Sequence, residues 1–377
     1  MSPSDSNESA DVTFFFCGDV MTGRGIDQIL KYPSDPTLHE SYMKDARGYA
    51  ALAERDGTVI PRGVDDRYIW GDALQELELR APDLRIINLE TSVTTSDDAW
   101  PGKGINYRMN PRNAGCLTAA GIDCCALANN HVIDWGYAGL EETLDTLRSA
   151  GIQTAGAGHN RDVARRPAVF DLPGRGRVLV FSFGSQSSGI PGEWEAEEDC
   201  SGVCLVDESS SESLSEVGKQ IEKFRQSGDL VIVSIHWGGN WGYRIPQEQK
   251  RFAHALVDDC GVDVVHGHSS HHVKGIEVYC QRPIFYGCGD FLTDYEGIRG
   301  YDEFRGDLGL MYFVTIDCST RALADCRMVP TQMKRFQVRR AAKEDIRRLT
   351  DVLNREGQKQ GTRVEMLADR EVRLHWE

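Results

Sequence analysis

The sequence predicts an α/β layered fold, a sandwich of two β-sheets flanked by helices. Two observations carry this expectation. Short apolar runs recur along the chain, each followed by glycine or polar residues and then by a segment with helical spacing of its apolar positions. Towards the C-terminus the runs stand closer together, with connections too short to hold helices. The alternation argues for a helix-covered sheet, and the later spacing for a second, partly antiparallel one.

In chain order, the buried runs are Val12–Cys17, Leu84–Asn88, Asp123–Ala128, Val178–Phe183, Leu230–Ile235 and Val262–His266. Runs with little polar alternation suit strands covered on both faces. Between them, Tyr137–Ala150 and Gln247–Cys260 have helical apolar spacing, and Gly151 sits where a helix stop belongs. The later runs, Gly275–Cys280, Arg282–Tyr286, Gly309–Ile316 and Ala322–Val329, are assigned to the second sheet. Residues 31–70 interrupt the pattern as an insertion, either a lid over a site or a surface excursion. Residues 185–215 are rich in Ser, Gly and Glu and read as a mobile loop. The expected division is a disordered N-terminus over 1–11, a catalytic domain over 12–330 and a helical extension over 331–377 packed on it. That extension holds 12 Lys/Arg against 8 Asp/Glu, with an amphipathic helix over Ala341–Glu356.

Composition narrows the function. A net charge of −16 repels phosphate backbones, which excludes nucleic acid as a partner and suits a neutral or basic substrate. The polar start and the lack of an apolar run near the ~18 residues a membrane span requires predict a cytoplasmic protein with no membrane partner. The eleven cysteines are scattered and form no CxxC pair, so neither a disulfide framework nor a thiolate zinc site is expected. Oligomeric state is left open.

The polar residues fall at the strand ends. Val12–Cys17 leads into Gly18-Asp19, Leu84–Asn88 into Leu89-Glu90, and Asp123–Ala128 into Asn129-Asn130-His131 with Asp134 beyond. Leu230–Ile235 ends in His236-Trp237-Gly238-Gly239, and the run from Val262 ends in His266, His268, His271 and His272. Open α/β sheets bind ligands beyond the carboxyl ends of their strands, and converging carboxylate, amide and imidazole groups suit a divalent cation. Singly, Asp19 is a turn residue as readily as a ligand, Glu90 a loop cap and His131 a core histidine. Four imidazoles within seven residues are harder to assign to packing.

The blocks GDVMTGR, NLETSVT, NNHVIDWGYAGLEETLDTL, SIHWGGNW and GHSSHH resemble those of the CapA-type proteins of bacterial poly-γ-glutamate capsule synthesis, over roughly residues 12–295. That family is similar in fold to the calcineurin-like metallophosphatases, which implies a four-layer sandwich with two central mixed sheets. The resemblance implies Asp19, Glu90, Asn130, His236, His268 and His271 as metal ligands, and His131, oriented by Asp134, as a proton-transfer residue. Two departures stand out. A dinuclear metallophosphatase opens with Asp-x-His, whereas this chain has Asp19-Val20-Met21, and Asn88-Leu89-Glu90 replaces a bridging Asp. The expectation is therefore one divalent cation in an oxygen-rich site, Ca, Mg or Mn ahead of Zn.

An imidazole held by a carboxylate exchanges protons near neutral pH. His131 with Asp134 forms one such unit. A histidine of the 268–272 cluster, His271 among them, with Asp19 or Asp290 would form another, and two units would support epimerisation of a peptide residue. Soluble relatives of the family include lasso-peptide epimerases, so a peptide substrate with metal-assisted proton transfer is the main expectation. The alternative is a hydrolase or amide-ligase component acting on phosphoesters or poly-γ-glutamate. A binding subunit without chemistry is disfavoured by the retained His and Asp residues. Trp237, Trp241 and Arg244 either contact an aromatic, carboxylate-bearing substrate residue or pack their own loop, and Arg24 is either an anion contact or an ordinary helix residue.

Overall fold

The computed structural model describes residues 11–57, 59–298 and 300–377. The segment expected to be disordered lies outside the described residues up to position 10, and Asp11 already opens the first strand. Two large sheets form the centre. The first runs, edge to edge, through Asp290–Leu292, Asp19–Val20, Leu84–Leu89, Asp11–Cys17, Leu308–Asp317, Leu323–Lys334, Val372–Trp376 and Thr362–Met366, and Cys124–Ala126 also pairs with Leu84–Leu89. The second runs through Leu205–Val206, Gly176–Ser185, Leu230–His236, Val264–His268, Arg282–Phe285 and Ile276–Tyr279. Both mix parallel and antiparallel pairs.

Strand alternation builds the layers. In Asp11–Cys17, Val12, Phe14 and Phe16 face one way and Phe15 and Cys17 the other, because successive side chains leave a strand on opposite faces. Val12, Phe14 and Phe16 join Val178, Val180, Leu230, Ile232 and Val264 in a core between the two sheets. Phe15 and Cys17 join Leu140, Leu144 and Leu147 of the Gly136–Ser149 helix on the outer face of the first sheet. Leu179, Phe181, Val231 and Val233 pack with Val217 and Ile221 of Ser211–Phe224 and Phe252, Ala253 and Leu256 of Gln247–Asp258 on the outer face of the second. The order is helix, sheet, sheet, helix, the four-layer α/β sandwich expected. Each large side chain so buried contributes roughly 1.5–3 kcal/mol.

Several expectations are corrected. The late strands do not form one sheet: Arg282–Phe285 and Ile276–Tyr279 extend the second sheet, whereas Leu308–Asp317 pairs antiparallel with Asp11–Cys17 in the first. Apolar content alone does not say which edge a strand joins. The 185–215 segment is tied down, since Trp194 is fully buried with its ring edge-on to Trp100, and Gly202–Val203 pairs with Ala157–Gly158. In the C-terminal extension only Lys343–Gly357 is α-helical, while Thr362–Met366 and Val372–Trp376 form a hairpin whose alternating Val364, Val372 and Leu374 enter the inter-sheet core. Among the described residues no helix is long and apolar enough to cross a membrane. All eleven cysteines are free.

Candidate metal and acid–base site

Register brings the site residues together. Asp290, Asp19 and Asn88 stand in one row across three neighbouring strands of the first sheet, and His236 pairs with His268 across two strands of the second. Both rows lie at strand ends, so a carboxylate row from one sheet meets an imidazole row from the other. Gly18 permits this close approach, because a Cβ there would come 1.8 Å from the Gly289 carbonyl oxygen. Ser269, directly after His268, holds a positive φ of 99°, a conformation costly for a side-chain-bearing residue. Its backbone N–H donates to Asp19 Oδ2 at 3.2 Å and its hydroxyl to the Gly238 carbonyl at 3.0 Å, which fixes the turn against the site.

One oxygen of Asp19 and one nitrogen each of His236 and His268 lie within 4.8 Å of one another, all three residues buried. Asn88 Nδ2 holds Asp19 Oδ1 at 2.7 Å. The Nδ1 atoms of His236 and His268 meet at 2.8 Å, a separation that requires a proton or a cation between two nitrogens. Burial, then the Asp290 charge, pushes Asp19 up to about 7. Burial, then Asp19 and Asp290, raises Glu90 well above the usual carboxylate range. Asp290 Oδ2 is buried with no hydrogen-bond partner. Crowded carboxylates, an orphan oxygen and two facing imidazoles fit a bound divalent cation. Two of the three closest donors are nitrogens, so the set is less oxygen-rich than expected. Glu90, Asn130 and His271 stand just outside this group: Asn130 Oδ1 accepts from His236 Nε2 at 3.0 Å, and Glu90 Oε1 is 3.9 Å from the same nitrogen.

His131 and His271, each bonded to a carboxylate behind it, line one cleft of about 1090 Å³ together with His236, Glu90, Lys103, Tyr107, Trp241 and Tyr295. His131 Nδ1 donates to Asp134 Oδ2 at 2.7 Å, leaving Nε2 turned towards Glu90 at 3.7 Å. Burial lowers His131 to about 4 against the partial opposition of Asp134. His271 Nδ1 donates to Asp290 Oδ1 at 2.9 Å. Burial alone would lower His271, but the charge and hydrogen bond of Asp290, joined by Asp19, together raise the imidazole above its ordinary value. One ring is thus held neutral and the other biased towards its protonated form, the division a base and an acid need.

The bacterial capsule synthesis protein family PGA_cap matches residues 13–295. The chain belongs to that family. A probable polyglutamine synthesis accessory protein of Mycobacterium tuberculosis is 45% identical over 354 residues, covering 94% of this chain and 93% of that protein. The capsule biosynthesis protein CapA of Bacillus anthracis is 25% identical over 307 residues, covering 80% of this chain and 65% of that protein. A crystal structure described as a novel phosphatase from Mycoplasma pneumoniae superposes with a TM-score of 0.48 at 13% identity, covering 85% of this chain and 94% of that one.

Within this PGA_cap chain, three anticipated substrate contacts are corrected. Trp237 is buried on the opposite side of its strand from His236, donating to the Tyr286 carbonyl at 3.1 Å and stacking on that ring. Arg244 is exposed and does not line the cleft. Arg24 does line it, but the guanidinium is already neutralised by Glu40 at 2.9 Å and Asp294 at 2.5 Å, so it ties the 31–70 insertion to the domain. Trp241 also lines the cleft, stacked on Tyr301 at 4.2 Å, and of the four it alone stays a candidate substrate contact. The four-imidazole cluster also divides. His266 bonds Ser234 and the Cys17 carbonyl, and His272 accepts from the Gly242 N–H, so both are structural.

Three site residues were missed from sequence. Lys103 bonds the Asp134 carboxylate and the Asn130 carbonyl and lies 3.1 Å from His131 Nδ1. Tyr107 stacks on His131 at 3.8 Å, and its hydroxyl meets that of Tyr295 at 2.6 Å. Lys103 and Tyr107 come from an irregular loop with no periodic signal, so only the fold reveals them.

Proposed function

We propose that the chain is a metal-dependent acid–base enzyme of glutamyl-polymer synthesis, cleaving or transferring at an amide or phosphoester bond held in the cleft. The observation that carries this reading is the pair of imidazoles, His131 on Asp134 and His271 on Asp290, beside Asp19, His236 and His268. His131 would accept a proton from the attacking nucleophile, and His271 would return one to the leaving group. A divalent cation held by Asp19, His236 and His268 would polarise the carbonyl or phosphoryl oxygen. Tyr107 and Lys103 would keep the His131 ring and its Asp134 partner in place. The relatives, a probable polyglutamine synthesis accessory protein and a capsule biosynthesis protein, support the substrate class.

A second reading rests on the same two pairs. Two separate proton-transfer units could exchange a Cα proton of a peptide residue without cleavage, as an epimerase does. One experiment separates the two. Manganese-loaded protein is incubated in deuterium oxide with poly-γ-glutamate, a generic phosphomonoester and a mixed peptide library. Release of glutamate or phosphate, lost in His131→Ala, supports hydrolysis or transfer. Uptake of one deuterium at a single Cα with no cleavage would replace that reading with epimerisation.

A further inference from the structure

A second cleft, of about 740 Å³, borders Gly238 and Gly239 and shares no lining residue with the first. Its walls carry Glu195, Asp207, Glu208 and Glu248 and no lysine, arginine or histidine. The Glu208 carboxylate is held by the hydroxyls of Ser185 and Ser187, so part of this negative charge has a fixed position. Bonds from Ser209 keep Asp207 below its usual value and therefore ionised.

The informative residue is Gln249, in the first turn of Gln247–Asp258. It lines the cleft, is 1% exposed, and neither its Nε2 nor its Oε1 has a hydrogen-bond partner. The amide packs against Gly238, where a Cβ would come within 2.6 Å of Nε2. A buried amide left unpaired has lost its water without replacement, so a group that pairs both ends gains from binding there. A peptide group suits it, because its C=O accepts from Nε2 while an N–H donates to Oε1.

We propose that this cleft binds a short basic peptide segment, one peptide group pairing with Gln249 and lysine or arginine side chains meeting Glu208 and its acidic neighbours. The volume falls within the range that holds a small ligand, enough for two or three residues. The chain's charge of −16 attracts a cationic partner. This site is independent of the catalytic reading, although its occupant would touch the loop that follows His236.

The test is calorimetric titration of the full chain at low salt with acetyl-Lys-Gly-Lys-amide. Saturable binding is expected, weakened tenfold or more by Gln249→Met and by Glu208→Gln, with the exposed Glu248→Gln as a milder variant. Gln249→Met should melt no lower than the parent, since it removes only unpaired polar atoms. Remote changes at Glu344 and Asp351 should leave binding intact. The proposal is overturned if the tripeptide does not bind. It is equally overturned if neither Gln249→Met nor Glu208→Gln weakens it, or if spermidine, which has no amide, binds as tightly as the tripeptide.

Discussion

Asp19 sits where three kinds of force meet: burial, the Asp290 charge and the Asn88 hydrogen bond. The first two raise its proton affinity to about 7, so protons and a metal compete for the same oxygen near neutral pH. Manganese affinity is therefore expected to fall as pH drops below about 7 and to flatten above it. Asp19→Asn should weaken binding at least tenfold and reduce that pH dependence, measured by calorimetry between pH 5.5 and 8.5. An unchanged pH profile in Asp19→Asn would remove Asp19 as the competing group. Much of this was legible from sequence, because a lone Asp after an apolar run and a glycine marks a strand end. Its pairing with Asp290 was not, since nothing local links positions 271 residues apart in the chain.

At the scale of the element, parity within a strand explains both a success and a failure. His236 faces the site and Trp237 the helical layer, as alternation requires, so the burial of Trp237 was available in principle. The C-terminal helix Lys343–Gly357 makes a similar point. Its Ile346, Leu349 and Leu353 lie in the inter-sheet core rather than on a separate surface. Leu349→Ala should destabilise the whole protein by roughly 2–5 kcal/mol in one cooperative urea transition. A separate early transition confined to the C-terminal segment would show instead that this element folds on its own. The apolar stripe was readable; the surface it covers was not, because a helix's period gives its face but not its neighbour.

Across the whole molecule, His266 joins the two sheets. Its Nε2 donates to the Cys17 carbonyl of the first at 2.8 Å, and its Nδ1 meets Ser234 of the second at 3.0 Å. Burial lowers it to about 4, and His272 likewise. Between the unfolded value of 6.5 and about 4, the unfolded chain binds protons that the native one refuses. Stability from these two histidines is thus present above pH 6.5 and lost as pH falls through that window, up to about 3 kcal/mol apiece. The raised carboxylates Asp19 and Glu90 oppose this trend in metal-free protein. Urea melts at several pH values should show a shallower slope, by about one proton, in His266→Gln. An identical slope would mean that His266 titrates normally in the native state.

By itself the sequence determined the strand cores, the two principal helices and the kinds of group at five strand ends, because apolar period and its interruption are local properties. Tertiary structure alone decided that His271 meets Asp290, that Lys103 and Tyr107 brace His131, and that His266 and His272 leave the chemistry to their neighbours. Those contacts depend on sheet order and register, which are set by packing between segments far apart in the chain.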